Sequence, residues 1–124
     1  MRTADELRAS ILRGLPYKAL GAMIAHYSLA RDPVTSAIAV SPRTLARRKQ
    51  DARFVVEESD RIVRLARIAA LAEDVLGSAD RAGRWLQKPN RALAGATPLE
   101  LSKTDPGARQ VEEILGRLAH GVYS

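Results

Sequence analysis

Cysteine is absent from the 124 residues, and only five residues are aromatic. Without cysteine the chain has neither disulfides nor thiolate metal ligands, which fits a reducing compartment. Because aromatic rings are so few, leucine, isoleucine, valine and alanine must fill the interior, and hydrophobic residues make up 46% of the chain. The length is that of one domain, or of two small modules that share a core, and this composition suffices to bury one core.

Long hydrophobic runs are also missing. Charged residues interrupt the stretch that is richest in leucine, isoleucine and alanine, residues 61–76, and no apolar run follows the first charges of the chain. We therefore expect neither a signal peptide nor a membrane span, and we predict a soluble cytoplasmic protein.

Residue types that carry catalysis are scarce. The two histidines, His26 and His120, lie far apart in the sequence. The adjacent carboxylates at residues 73–74 and 112–113 point to different faces of their helices, so neither pair can share a substrate. We recognise no nucleophile with a partner, no metal-ligand spacing and no glycine-rich phosphate loop. The sequence predicts a protein that is not an enzyme and that holds no cofactor or metal.

The net charge of +6 is unevenly distributed. Residues 1–67 carry 13 Lys or Arg against 7 Asp or Glu, whereas residues 68–124 carry 7 of each kind. A concentrated basic half is the electrostatic footprint expected for a polyanion such as DNA, although basic surfaces also serve acidic proteins and solubility.

Helix-start signals recur along the chain. Thr3 and Glu6 form one potential capping box, and Thr97 and Glu100 form another. Four of the six prolines follow a residue that can cap a helix, which predicts a helix start at each of them. These pairs are Asp32-Pro33, Ser41-Pro42, Thr97-Pro98 and Asp105-Pro106.

Apolar residues at helical spacing predict the remaining helices, and no strand-like alternation of useful length is present, so the fold should be all-α. A long helix starts at Glu57 and Glu58 and ends at Gly77, and a short helix with Trp85 follows. The interior of the long helix carries an apolar stripe, and so does the last helix, over residues 106–119. The first stripe contains Ile62, Leu65, Ala69, Ala72 and Leu76, and the second contains Val111, Ile114, Leu115 and Leu118. Residues 51–56 are predicted as a loop or a short extended piece whose Phe54-Val55-Val56 run packs inward.

The two short helices predicted over residues 33–38 and 42–49 have the layout of a helix-turn-helix, whose second helix enters the major groove. Leu45 would point to the core, while the polar residues of the second helix are free to meet phosphates and guanine edges. These predicted DNA-binding residues are Arg43, Thr44, Arg47, Arg48 and Lys49. Ala39 stands at the turn position that glycine usually holds, which costs about 1 kcal/mol if the turn is left-handed. The alternative is a solvated basic helix with no sequence-specific role.

Five short motifs occur in a fixed order in the second half of the chain. They are Trp85-Leu86, Pro89-Asn90, Gly95-Ala96-Thr97-Pro98, Gly107-Ala108-Arg109-Gln110-Val111-Glu112 and Gly121-Val122-Tyr123-Ser124. This order resembles the toxin-binding domain of the Xre/MbcA/ParS antitoxins, and residues 41–49 resemble the second helix of the helix-turn-helix in the same family. The resemblance implies a RES-domain toxin as partner, from a family that consumes NAD or transfers ADP-ribose, and a tail that blocks the toxin's active-site cleft.

The sequence therefore predicts an antitoxin of a type II toxin–antitoxin pair that also autoregulates its operon. Residues 1–56 would form the helix-turn-helix region for operator DNA, and residues 57–124 a small helical bundle that binds the toxin. The toxin-neutralising residues would be Gly121, Val122, Tyr123 and Ser124. The main alternative is a helix-turn-helix transcription regulator whose C-terminal bundle only dimerises, and a further one is an adaptor that does not bind DNA.

Two structural questions stay open at this point. Trp85 is either a core residue, which we favour, or an interface anchor. A single helix-turn-helix reads too few base pairs for useful specificity, so we predict a homodimer or a higher even oligomer. The stripe containing Ile62, Leu65, Ala69 and Ala72 is either part of that interface or part of an intramolecular core.

Overall fold

The computed structural model describes residues 3–121. The regular secondary structure of these residues is entirely helical. In chain order the α-helices are α1 (Ala4–Arg13), α2 (Lys18–Tyr27), α3 (Arg31–Ala37), α4 (Pro42–Asp51), α5 (Val56–Leu76), α6 (Ala79–Leu86), α7 (Pro98–Leu101) and α8 (Asp105–Ala119). A 3-10 turn at Arg91–Leu93 lies between α6 and α7. The predicted all-α class is confirmed.

Three helices begin at the hydroxyl residues that the sequence predicts, Thr3, Ser41 and Thr97, and a fourth begins at Ser78. The side chains of Thr3, Ser41, Ser78 and Thr97 each accept a hydrogen bond of 3.1 Å from the backbone N–H three residues later. At Thr3 and Thr97 a glutamate reaches back to the backbone N–H of the cap, which completes both predicted capping boxes. These local interactions satisfy N–H groups that have no partner within the helix.

The two Asp-Pro pairs do not cap their helices, so those two predictions are wrong. α3 follows Ala30, which has extended backbone, and Asp32 and Pro33 lie inside its first turn. α8 is capped by Thr104, whose hydroxyl accepts from the Gly107 N–H at 3.1 Å. A proline anywhere in the first turn sacrifices no intrahelical hydrogen bond, so the proline alone does not fix the first residue.

The segment after the second short helix also differs from the prediction. α4 continues to Asp51 and ends at Ala52, which has a left-handed backbone with a φ of 64°. Phe54 is buried as predicted, but Val55 and Val56 are 41% and 38% exposed. The inward face of α5 begins with Glu58 and Ser59, so the valines at its start are turned away from the core.

α5 is the central helix, because α1, α2, α6 and α8 all pack against it. The four stripe residues that were candidates for a dimer interface are 3% exposed or less. They lie in the intramolecular core, so the interface alternative is wrong for them: Ile62, Leu65, Ala69 and Ala72. In α8 the stripe is buried except at its end, where Leu118 is 43% exposed.

Polar contacts join the first half of the chain to the second. The Tyr27 hydroxyl in α2 donates to Glu73 in α5 at 2.9 Å, and His26 lies 3.4 Å from the same carboxylate oxygen. Burial of the phenol, together with Glu73, raises the pKa of Tyr27 to about 12, so it stays a donor at neutral pH. Gln87 accepts from the Ala30 N–H at 2.7 Å, directly before α3.

Two glycines allow helices to approach closely. A Cβ at Gly83 in α6 would lie 1.9 Å from the carbonyl oxygen of Tyr27, and a Cβ at Gly107 would lie 1.9 Å from that of Leu101. Any larger residue at either position would displace backbone, because the opposing atom belongs to the main chain. The helices that carry the second half of the chain are therefore set against α2 and α7 by direct backbone contact.

Candidate functional sites

The turn between α3 and α4 has helix-turn-helix geometry. Ile38 and Val40 are buried on either side of the exposed Ala39. Ala39 has a φ of 56°, which is left-handed, and its N–H donates to the Ser36 carbonyl at 3.0 Å. An alanine in this conformation costs about 1–2 kcal/mol relative to its preferred backbone. The chain therefore adopts the turn although it lacks the glycine that would favour it.

The second helix of this unit, α4, buries Leu45 and exposes the opposite face. Leu45 is 8% exposed, as predicted for the residue that points to the core. Arg43 and Arg47, four residues apart, share the exposed face. Within residues 3–121 neither guanidinium has a hydrogen bond or an ion pair. Two cations on one helix face are thus available for a polyanion.

The other predicted DNA-binding residues are placed differently. Thr44 is half-buried, and its hydroxyl accepts from Ser41 at 3.1 Å within the helix cap. Lys49 is exposed in the last turn, but it follows Leu45 by four residues and so lies on that side of the helix rather than beside Arg47. Lys49 suits a flanking phosphate more than a base edge.

Arg48 is not free, which corrects the prediction for this residue. Its side chain is 15% exposed, and its Nε donates to the Glu58 carboxylate at 2.7 Å. Glu58 is 6% exposed and also accepts from the Val55 N–H at 3.0 Å. Arg48 has a second carboxylate, Asp51, at 3.4 Å. The hydrogen bond with Glu58 raises the pKa of Arg48, so this guanidinium joins the end of α4 to the start of α5 as a permanent cation.

The predicted neutralising tail is described only at its first residue. Gly121 has a φ of 65°, and its N–H donates to the Leu118 carbonyl at 3.2 Å at the end of α8. Val122, Tyr123 and Ser124 lie outside the described residues. Val111, Ile114 and Leu115 are buried, so the helix that precedes the tail is fixed to the bundle.

Groups that could bind metal or cross a bilayer do not occur in the part of the chain that the structure describes. In residues 3–121 no three His, Cys, Asp or Glu side chains are grouped closely enough to hold a metal ion. Over the same residues no helix combines the length and the apolar character that a bilayer span requires.

Comparison with known proteins matches both halves of this arrangement. Residues 6–67 match the antitoxin Xre-like helix-turn-helix domain, and residues 71–121 match the C-terminal toxin-binding domain of the Xre/MbcA/ParS antitoxins. The fold and its exposed basic helix therefore define a helix-turn-helix protein with a second helical domain. The chain belongs to the Xre/MbcA/ParS antitoxin family.

Similar proteins of several bacteria are named antitoxin Xre. That of Pseudomonas putida is 46% identical over 80 residues, which are 64% of this chain and 50% of that protein, so the chain spans half its length. That of Yersinia enterocolitica is 33% identical over 93% of this chain and 79% of the relative. A chain in the crystal structure of the M. tuberculosis MbcT–MbcA toxin–antitoxin complex superposes with a TM-score of 0.66 and 26% identity. The superposition covers 87% of this chain and 96% of that chain.

The strained turn generates a stability prediction. We expect Ala39→Gly to raise the free energy of unfolding by about 0.5–1 kcal/mol, because removal of the Cβ strain outweighs the larger entropy of the unfolded chain. Ala46→Gly, at an exposed position inside α4, should lower it by about 0.5–1 kcal/mol. Urea denaturation of both variants measures the difference. Equal destabilisation by the two glycines would show that the turn does not favour a left-handed residue.

Proposed function

We propose that this protein is the antitoxin of a type II toxin–antitoxin pair and that its partner is a RES-domain toxin, which degrades NAD or transfers ADP-ribose. The observation that carries the proposal is the presence, on one chain, of a helix-turn-helix match and a toxin-binding-domain match that meet within α5. The protein acts by binding rather than by catalysis, in the cytoplasm, where operator DNA and NAD are found. The alternative function, a transcription regulator whose second half only dimerises, is disfavoured. The family that this half matches is described as a toxin-binding domain.

We divide the two activities along the chain as the sequence suggests, with residues 1–56 for the operator and residues 57–124 for the toxin. On the operator side, Arg43 and Arg47 are the candidates for base edges, and Lys49 for a phosphate. Arg48 acts on DNA only through the position of α4, since its guanidinium is engaged by Glu58.

A two-fold oligomer would present two recognition helices to neighbouring half-sites. Because the apolar stripe of α5 is buried, the interface of such an oligomer must use another surface. We propose the surface of α1. Leu7 and Leu12 are 36% and 55% exposed, and they line a groove of about 380 Å³ between α1 and α5. Arg8 and Asp60 bring both charge signs to the walls of this groove. Such a surface suits pairing with a second copy of itself.

The tail is proposed to obstruct the toxin's cleft. Tyr123 carries a flat ring that can stack where the nicotinamide or adenine of NAD lies. α8, held by its buried apolar residues, provides the rigid base from which the tail starts. The helical surfaces then supply most of the buried area, so binding and inhibition are separable.

The first prediction concerns operator binding. The double substitution Arg43→Ala/Arg47→Ala should weaken binding to the protein's own promoter by about 1–3 kcal/mol for each arginine that reads a base. For each arginine that binds a phosphate instead, the slope of log affinity against log salt should fall by about one. Gel-shift titration at several salt concentrations measures both effects, with the exposed Arg117→Ala as the control. Equal binding by wild type and double mutant would remove α4 as the reading helix.

The second prediction concerns the oligomer. Leu12→Glu should convert the free protein to a monomer at tens of micromolar, because it replaces an exposed apolar side chain of the groove by a charge. Leu118→Glu changes a leucine of similar exposure, 43% against 55%, outside the groove and should leave the oligomer intact. Light scattering reports the mass, and circular dichroism verifies the fold. A monomeric wild type would exclude the dimer, and a dimeric Leu12→Glu variant would exclude this interface.

The third prediction concerns neutralisation. Deletion of Val122 to Ser124 should leave a complex with the toxin that size-exclusion chromatography detects, while NAD consumption returns. The full-length Arg117→Ala variant, altered on the exposed side of α8, should inhibit as wild type does. Full inhibition by the truncated chain would mean that neutralisation works from another part of the domain.

A further inference from the structure

α6 is strongly amphipathic, and its outer face is not covered by the rest of the described chain. Ala82, Gly83 and Leu86 are buried, and these residues fix the helix against α5 and α2. The remaining face forms a shallow depression of about 320 Å³ beside α5. It is lined by Leu76, Arg81, Arg84, Trp85 and Lys88, which we call the α6 face.

The positive charge of the second half is gathered around this helix. Residues 79–91 contain four Lys or Arg and a single acid, Asp80. The rest of residues 71–121 contains six acids and three Lys or Arg. Asp80 is paired with Arg84 one turn later, so the excess cations of the α6 face are Arg81 and Lys88. Their guanidinium and ammonium meet no carboxylate within residues 3–121.

Trp85 is one of the residues that line this basic depression. It is half-buried, and its inner side packs against the core. The ring is therefore held in place while part of it stays accessible in the depression. A fixed aromatic ring beside cations is a typical interface hot spot, because tryptophan and arginine are enriched among the residues that contribute most of the binding energy.

We propose that the α6 face is the surface that captures the toxin, and that it fits an acidic protein surface with an apolar centre. The proposal rests on the toxin-binding function proposed above. The lining residues support a protein partner, because the depression combines the apolar surface of Leu76 and Trp85 with three cations, as protein interfaces combine apolar and polar parts. A site for single-stranded nucleic acid would instead have a longer basic groove along the strand and several aromatic rings for base stacking.

Capture and obstruction then belong to different parts of the domain. Exposed cations steer an acidic partner over several ångströms and so raise the association rate. The Trp85 ring makes contact only in the formed complex, so its removal should act on the dissociation rate. The tail is needed for neither step.

The experiment measures association kinetics between the full chain and the proposed RES-domain toxin. Arg84→Glu should lower the association rate constant about tenfold at low salt and flatten its salt dependence. Arg109→Glu is the matched control, since Arg109 also pairs with an aspartate four residues earlier and is 74% exposed, against 71% for Arg84. It should stay within about twofold of wild type. Lys88→Glu repeats the test at a position without an ion-pair partner.

A second readout needs no substitution. Trp85 is the only tryptophan, so labelling the chain with 5-fluorotryptophan gives one ¹⁹F resonance, which should shift when the toxin is added. Trp85→Leu should raise the dissociation rate about tenfold, and circular dichroism shows whether that variant is folded.

The outcomes separate this proposal from the function on which it rests. Tight toxin binding with unchanged rates in Arg84→Glu and Lys88→Glu, and an unshifted ¹⁹F signal, would overturn the α6 face alone. Absence of toxin binding by the wild-type chain would overturn the proposed function and this proposal together. A fall in DNA affinity in Arg84→Glu, with toxin association unchanged, would make the α6 face a nucleic-acid surface and would also overturn the proposal.

Discussion

Burial of one face of α5 is the interaction on which the rest of the molecule depends. Four other helices pack against this one helix. The apolar residues of that face are 3% exposed or less: Ile62, Leu65, Ile68, Ala69 and Ala72. Each leucine or isoleucine buried in this way contributes about 1.5–3 kcal/mol. The helix-turn-helix match and the toxin-binding match both extend into α5, so the two candidate surfaces share one structural support.

The orientation of α4 depends on a charge pair as well as on apolar packing. Leu45 is the single buried residue of α4. The buried carboxylate of Glu58 needs donors, and it obtains them from Arg48 and from the Val55 backbone. Arg43 and Arg47 lie on the exposed side of the helix, away from both contacts. One basic residue of α4 is thereby paired inside the protein, while two others stay exposed.

The sequence predicts best where the chemistry is local. The cap at Thr97 spans three residues, so its donor and acceptor are both visible in the sequence. The helix start predicted at Asp32-Pro33 is wrong because proline is tolerated at any position of the first helical turn, so Pro33 does not mark the first residue of α3. The pairing of Arg48 with Glu58 crosses ten residues and a turn, and no local pattern distinguishes it from a solvated arginine. Likewise an apolar stripe indicates that a face is covered, but the covering element depends on the tertiary arrangement, as the exposed Leu118 shows.

Because α5 is one continuous helix, it fixes the distance between its two ends. Its 21 residues contain no proline or glycine, and at about 1.5 Å per residue they separate the ends by about 31 Å. No flexible linker separates the start of α5, where Glu58 binds Arg48 of α4, from its far end, after which α6 follows. An inserted residue would turn one end by about 100° relative to the other. The register between the two candidate surfaces is therefore set by the length of α5, so a change in that length alters their relative orientation while a change in surface composition does not.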